Sequence, residues 1–284
     1  MGIAKWYRDF NELIMFQHSV FSLPFIFIGM IVAADGWFGW RLLGLGILAA
    51  VSARNYAMLV NRYLDRDIDA KNPRTRNRPS VDGRFGVRQM QLLIALNALV
   101  FILVAYAINS LAFWLSFPIL AILGGYSYFK RFSETAHLIL GLSLGLAPVA
   151  GAVAVSGTIP LWSLMLAAGV MFWVAGFDLL YSLQDIDFDK EAGLYSIPSR
   201  YGSACTMFIA RLFHALAVLF WAFFTAEAGL GFFAWLSVVA AAAMLIYEHR
   251  IVSRDFSKID RAFFTVNGYL GFMYLLGIVL DKVL

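Results

Sequence analysis

Apolar runs, each about long enough to cross a bilayer, recur along almost the whole chain and are separated by short polar segments. The first fourteen residues differ. Trp6, Tyr7, Phe10 and Leu13 fall on one side of a charged helix, the pattern of an approach helix lying at a membrane interface. The runs that follow predict nine spans, near 15–35, 40–61, 89–108, 112–129, 136–155, 161–182, 205–225, 230–248 and 263–281. No interruption is long enough for a separate soluble domain, so residues 1–284 read as one all-α transmembrane domain.

The basic residues sharpen this picture because they occupy alternate connections. Residues 62–88 form the longest polar stretch and carry Arg62, Arg66, Lys71, Arg74, Arg76, Arg78, Arg84 and Arg88. Lys130 and Arg131 follow the fourth span, and Arg250, Arg254, Lys258 and Arg261 precede the ninth. The turn after residue 108 and the GTIP turn at 157–160 lack lysine and arginine. Positive charge marks the cytoplasmic side, so the N-terminus is expected inside and the C-terminus outside.

Composition excludes a soluble globular chain: 61% of residues are apolar, 14% are charged, and the mean hydropathy is +0.76. The net charge of +4 is concentrated in those connections and reports membrane orientation, with no nucleic-acid partner implied. Cys205 is the single cysteine, which excludes an intrachain disulfide and a cysteine-based metal cluster. The opening MGIAKWYRDFNEL leads into an apolar run too long for a signal-peptide core, so the first span is expected to be retained. Trp6 stands where the N-myristoylation pattern at Gly2 needs Ser or Thr.

Two acidic segments interrupt this apolar chain. In the first, Asn61, Asp65 and Asp69 are spaced by four, about 40° apart per step on one helix face. In the second, Asp178, Asp185 and Asp189 follow steps of seven and four and fall within roughly 40° if the helix continues. With Asp67, Asp187 and Glu191, these segments bring seven carboxylates to the ends of spans two and six, Asp178 lying above them. Carboxylates near hydrocarbon line polar cavities or meet water. So many like charges call for a counter-ion, and all-oxygen donors select a hard cation such as Mg²⁺. No histidine and cysteine cluster favours zinc.

The neighbouring Arg62, Arg66, Lys71, Arg74, Arg76 and Arg78 suit phosphate oxygens that share such an ion. Together the two sets describe a diphosphate site at a membrane surface, where loss of diphosphate from an allylic carbon yields a reactive cation. A basic loop alone is ordinarily topogenic, and paired helical-phase carboxylates are what raise it above that. A cation-coupled transporter would place its acids nearer midplane, whereas these are terminal.

The sequence resembles the UbiA-type superfamily of intramembrane aromatic prenyltransferases, above all the 4-hydroxybenzoate polyprenyltransferases. The likeness rests on Asn61, Asp65 and Asp69 followed by NPRTRNRP at 72–79, and on Asp178, Tyr181, Asp185 and Asp189 continued by Lys190, Gly193, Ser196 and Gly202. HSVFSLPF from His18 and YSYFKR at 126–131 add to it. The resemblance implies nine helices around a central cavity in a bacterial cytoplasmic (inner) membrane. Mg²⁺ and a polyprenyl diphosphate would bind near the cytoplasmic opening, the prenyl chain passing to a small aromatic acceptor.

By that resemblance Asp65 and Asp69, assisted by Asn61, hold one Mg²⁺, and Asp185 and Asp189 hold another. Arg62, Arg74, Arg78, Tyr126, Lys130, Arg131 and Lys190 are expected around the diphosphate, while Asp178 and Tyr181 orient the acceptor or face the cationic transition state. Arg62 departs from the many members that have an acid after the asparagine. Alternatives within the superfamily are a prenyltransferase of menaquinone synthesis, including one on a futalosine-route acceptor, and more remotely one that makes haem O. A lipid-diphosphate carrier is the alternative of a different class. His137, His214, His249, Cys205 and the methionines carry no assigned chemistry.

Overall fold

Backbone polar groups in hydrocarbon must satisfy one another, so long runs of Leu, Ala, Ile, Val, Phe and Met can only form helices there. The computed structural model describes residues 2–15, 23–256, 259 and 265–284, and among these every regular element is helical. The long helices are α3 (Trp40–Leu64), α5 (Val87–Ile108), α6 (Ser110–Gly125), α7 (Ala136–Ser156), α8 (Leu161–Ser182), α10 (Ile197–Glu227) and α11 (Phe232–Arg254). Counting α6 with the turn to Arg131 and α8 with the turn and short helix to Glu191, these seven stretches are, among the described residues, long and apolar enough to cross a bilayer. The chain is a multi-pass membrane protein. Two shorter helices, α2 (Leu23–Ala34) and α12 (Asn267–Val283), stand where the first and last predicted spans lie; parts of those spans, with His18, Lys258 and Arg261, fall outside the described residues.

The helices form a closed sequence of neighbours: α3 packs on α5, α5 on α6, α6 on α7, α7 on α8, α8 on α10, α10 on α11, α11 on α12, and α12 on α2. Helix α2 closes the series through its contact with α3 and packs most extensively on α7. This pair approaches closely because a Cβ on Gly29 would sit 2.2 Å from Pro148 O, and one on Gly151 the same distance from Ile26 O. Small residues stand in for a hydrophobic drive that lipid does not supply. The aromatic core, formed by Phe25, Trp173, Trp221, Phe224 and Tyr274, lies on the α8, α10 and α12 side.

Helix α1 (Ile3–Ile14) is amphipathic as expected. Its Leu13 and Ile14 pack on Met58 and Leu59 of α3 with Phe85 and Met90, and Arg84 reaches Asp9 at 3.3 Å and Glu12 Oε1 at 2.8 Å. That docking brings the Leu13 carbonyl to Arg62, a residue of the site described next.

Candidate functional site

Helix α3 carries Asn61 in its last turn and breaks at Asp65, whose φ of −90° and ψ of 4° are not helical. The chain restarts at once as α4 (Arg66–Asp69), with Asp69 N–H donating to Asp65 O at 2.7 Å. The uninterrupted helix assumed from spacing is therefore absent, but all three residues line one chamber. Asn61 Nδ2 donates to Asp65 Oδ2 at 2.8 Å and to Ser127 Oγ at 2.9 Å. Arg78 Nη1 donates to both oxygens of Asp69, at 2.7 and 2.8 Å. Arg62, 3% exposed, is built into the wall: it donates to Leu13 O at 3.3 Å and to Asn61 Oδ1 at 3.3 Å.

The second acidic segment breaks in the same way. Helix α8 gives way to a 3-10 turn over Leu183–Asp185 and then to α9 (Ile186–Glu191). Gly193, at φ 66°, lets the chain reverse, and Tyr195 N–H donates to Lys130 O at 2.8 Å. Ser196 caps α10 and donates its hydroxyl to Asp189 Oδ2 at 2.9 Å, fixing that carboxylate from the following helix.

The two segments meet. Arg74 Nε donates to Asp185 Oδ1 at 3.0 Å and its Nη1 to Tyr181 OH at 3.3 Å, while Asn72 Nδ2 reaches Asp185 Oδ1 at 3.4 Å. Lys130 Nζ donates to Asp65 Oδ2 at 2.6 Å. The chamber they enclose is about 270 Å³ and is lined by Asn61, Arg62, Asp65, Asp69, Arg74, Arg78, Tyr126, Lys130, Asp178, Tyr181, Asp185 and Asp189. Arg131 and Lys190 do not line it. Arg131 donates to Leu64 O at 2.6 Å and Asp67 Oδ1 at 2.7 Å, and Lys190 is exposed on a shallow surface pocket with Tyr195 and Arg200.

Burial raises the Asp65 carboxyl above the usual carboxylate range, against the pull of Lys130. Asp67, exposed, is pulled below that range by its hydrogen bond from Arg131. Among the described residues no three Asp, Glu, His or Cys side chains form a ready metal site. The donors nonetheless fit a hard cation: they are oxygens, and Asp65 Oδ1 is buried with no hydrogen-bond partner.

Beyond the chamber the surroundings turn apolar. Tyr126 and Leu140 are shared with a smaller cavity of about 100 Å³ that contains Arg54. That cavity shares Ile26, Ala49, Phe101 and Ile119 with an apolar one of about 440 Å³ between α2, α3, α5, α6, α7 and α8. Arg54 Nε is buried without a partner. Sequence reasoning passed over Arg54, although an arginine inside an apolar run, seven residues before Asn61 and hence on its face, was the available sign. It also passed over His137, which lines the chamber with Nδ1 2.7 Å from Asp178 Oδ2. Nothing in the sequence pairs those two residues.

Comparison with known proteins agrees with this architecture. Residues 22–276 match the UbiA prenyltransferase family. The chain is 30% identical to a 4-hydroxybenzoate octaprenyltransferase of Aromatoleum aromaticum, covering 89% of this chain and 85% of that protein. It is also 30% identical to the protein of that name from Paracidovorax citrulli, covering 98% and 92% respectively. The apo structure of a UbiA homolog from Aeropyrum pernix K1 superimposes with a TM-score of 0.85 at 32% identity, covering 94% of this chain and 98% of that one. A UbiA homolog from Archaeoglobus fulgidus bound to DMAPP and Mg²⁺ shares the fold at a TM-score of 0.77 and 20% identity, covering 97% and 100%. The chain belongs to the UbiA prenyltransferase family.

Proposed function

We propose that this protein transfers a polyprenyl group from polyprenyl diphosphate to an aromatic acid, 4-hydroxybenzoate being the leading acceptor, with release of diphosphate. The observation that carries the proposal is the order of environments inside the bundle: an acidic and basic chamber, then a small cavity bordered by the Arg54 guanidinium, then an apolar cavity. These match a diphosphate head, an acidic acceptor and a prenyl chain in turn.

Lys130, Arg74 and Arg78 bind the phosphate oxygens, exchanging their present carboxylate partners for the ligand. Asp65, Asp69 and Asn61, with Asp185 and Asp189, are the residues that would hold Mg²⁺, which when bound offsets the charge of the departing diphosphate. Tyr181 offers a π face to the developing allylic cation. Arg54 takes the acceptor carboxylate, which gives a partner to a guanidinium whose Nε is buried without one in largely apolar surroundings. The apolar cavity holds the chain and keeps water from the cation.

Residues 1–284 act as one unit in a bacterial cytoplasmic membrane, with α2 and α12 completing nine crossings. The N-terminus is then cytoplasmic and the C-terminus outside, which puts every arginine- and lysine-rich connection on one face. Incubating the purified protein with Mg²⁺, a labelled polyprenyl diphosphate and a panel of aromatic acids tests the reaction, with products identified by mass. A prenylated 4-hydroxybenzoate is expected. Bound diphosphate with no new carbon–carbon bond would replace the enzyme by a carrier, and product only from a naphthalene-type or futalosine-derived acid would move it to the menaquinone branch.

A further inference from the structure

Prenylation of an aromatic ring replaces a ring hydrogen, so a site that performs it has a proton to remove. The chamber's metal-facing carboxylates are already engaged: Asp65 by Lys130 and Asn61, Asp69 by Arg78, Asp185 by Arg74 and Asn72, and Asp189 by Ser196. Among the described residues lining the chamber, two buried side-chain atoms have no hydrogen-bond partner, Asp65 Oδ1 and His137 Nε2. The first is a carboxylate oxygen and suits a cation, whereas the second is an imidazole nitrogen.

Resting on the prenyl-transfer reading, we infer that His137 is the general base that takes the ring proton, and that Asp178 is its positioning residue. Asp178 Oδ2 lies 2.7 Å from His137 Nδ1 across 41 residues of sequence, and a carboxylate there places the imidazole proton on Nδ1. Nε2 is then the acceptor. A purely structural tether between α7 and α8 would use one nitrogen and leave the other buried and unpaired, which is unfavourable. Here the residue that carries it lines the chamber. His137 stands one turn before Leu140, which with Tyr126 separates the chamber from the Arg54 cavity. An acceptor held on Arg54 therefore borders the same two residues that border His137.

The step balances. The prenyl C1–O bond breaks and its electron pair leaves on the diphosphate. A ring carbon beside the hydroxyl then forms the C–C bond with a π pair. His137 Nε2 takes the proton from that carbon and the C–H pair restores the ring. The imidazolium, held by Asp178, returns its proton to water at the chamber mouth.

The test uses the whole protein with Mg²⁺, polyprenyl diphosphate and 4-hydroxybenzoate carrying either hydrogen or deuterium at the two positions beside the hydroxyl. Wild type should turn both over at one rate. His137→Asn keeps a donor toward Asp178 but has no nitrogen at the Nε2 position. It should slow turnover by about 10²–10⁴-fold, leave the KM for the diphosphate unchanged and acquire a primary isotope effect. Asp178→Asn, which frees the imidazole to change tautomer, should acquire the isotope effect as well, and serves as the reading if the histidine variant does not fold. A His137→Asn enzyme at the wild-type rate, or slowed without an isotope effect, overturns the assignment. Wild type that forms no prenylated acid overturns the parent reading and this one together, so the two failures are distinct.

Discussion

Two regions of this bundle bury polar side chains, and they do so differently. On one side of the ring, charged groups from α3, α4, the loop after α4, α7, α8 and α9 converge on a chamber, each carboxylate meeting a cation or donor from another segment. On the other, Trp173 Nε1 donates to Asn267 Oδ1 at 2.8 Å, Asn267 Nδ2 donates to Glu248 Oε1 at 2.7 Å, and His214 Nδ1 lies 3.0 Å from His249 Nε2. The first two bonds link α8, α11 and α12 side chain to side chain within the core, while the histidine pair joins α10 to α11 beside an outer pocket of about 520 Å³ and, among the described residues, faces no ion pair there that a ligand could replace. Burial of polarity alone therefore does not mark a site. Convergence on open volume, with ion pairs that a ligand can replace, does.

Substitutions should separate the regions by what they lose. Of the four substitutions that compare the regions, the largest effect is expected from Asp65→Asn, which keeps the size of the side chain and its contact with Asn61 but removes the charge. Prenyl transfer should fall by about 10²–10³-fold or more while the folded yield stays normal. Wild-type turnover would remove Asp65 from the chemistry. Next comes Arg54→Leu, which should raise the KM for the aromatic acid by about 10–100-fold, the worth of a charged hydrogen bond, and leave the KM for the diphosphate alone. Equal rises in both would show that Arg54 serves the chamber generally.

The opposite signature belongs to the second region. Asn267→Leu leaves the Trp173 N–H and the Glu248 carboxyl without their partner and should cost about 1–3 kcal/mol of stability. Measured per folded molecule, its kcat should be unchanged; a lost kcat would join the two regions functionally. The smallest effect is expected from Arg131→Ala. Its pair with Asp67 is solvent-exposed and contributes no more than about 1 kcal/mol, so activity should stay within about twofold of wild type. A collapse of activity would mean that the Leu64 carbonyl contact holds the break at Asp65 in place.

Much of the chamber was legible before any fold was known. Asn61, Asp65 and Asp69 read as one group because four-residue spacing is a helical neighbour relation, and Asn61 and Asp65 do touch. Asp185 and Asp189 were legible on the same ground. The breaks at Asp65 and Leu183 were not, because neither carries a proline or glycine to announce them. Lys190 and Arg131 illustrate the limit: being adjacent in sequence to Asp189 and Lys130 says nothing about which way a side chain leaves a short helix or turn. Arg54 carried a sign that went unused, and His137 carried none.

Hydropathy, charge alternation and acid spacing by themselves determined a multi-span helical membrane protein with two acidic segments, since helical period and transfer to hydrocarbon are local properties. Tertiary structure alone decided that Arg74 crosses to Asp185, that Lys130 reaches Asp65 and that His137 meets Asp178. Those partnerships depend on the rotation and tilt of packed helices, which small residues such as Gly29 and Gly151 set through backbone contact between elements more than a hundred residues apart.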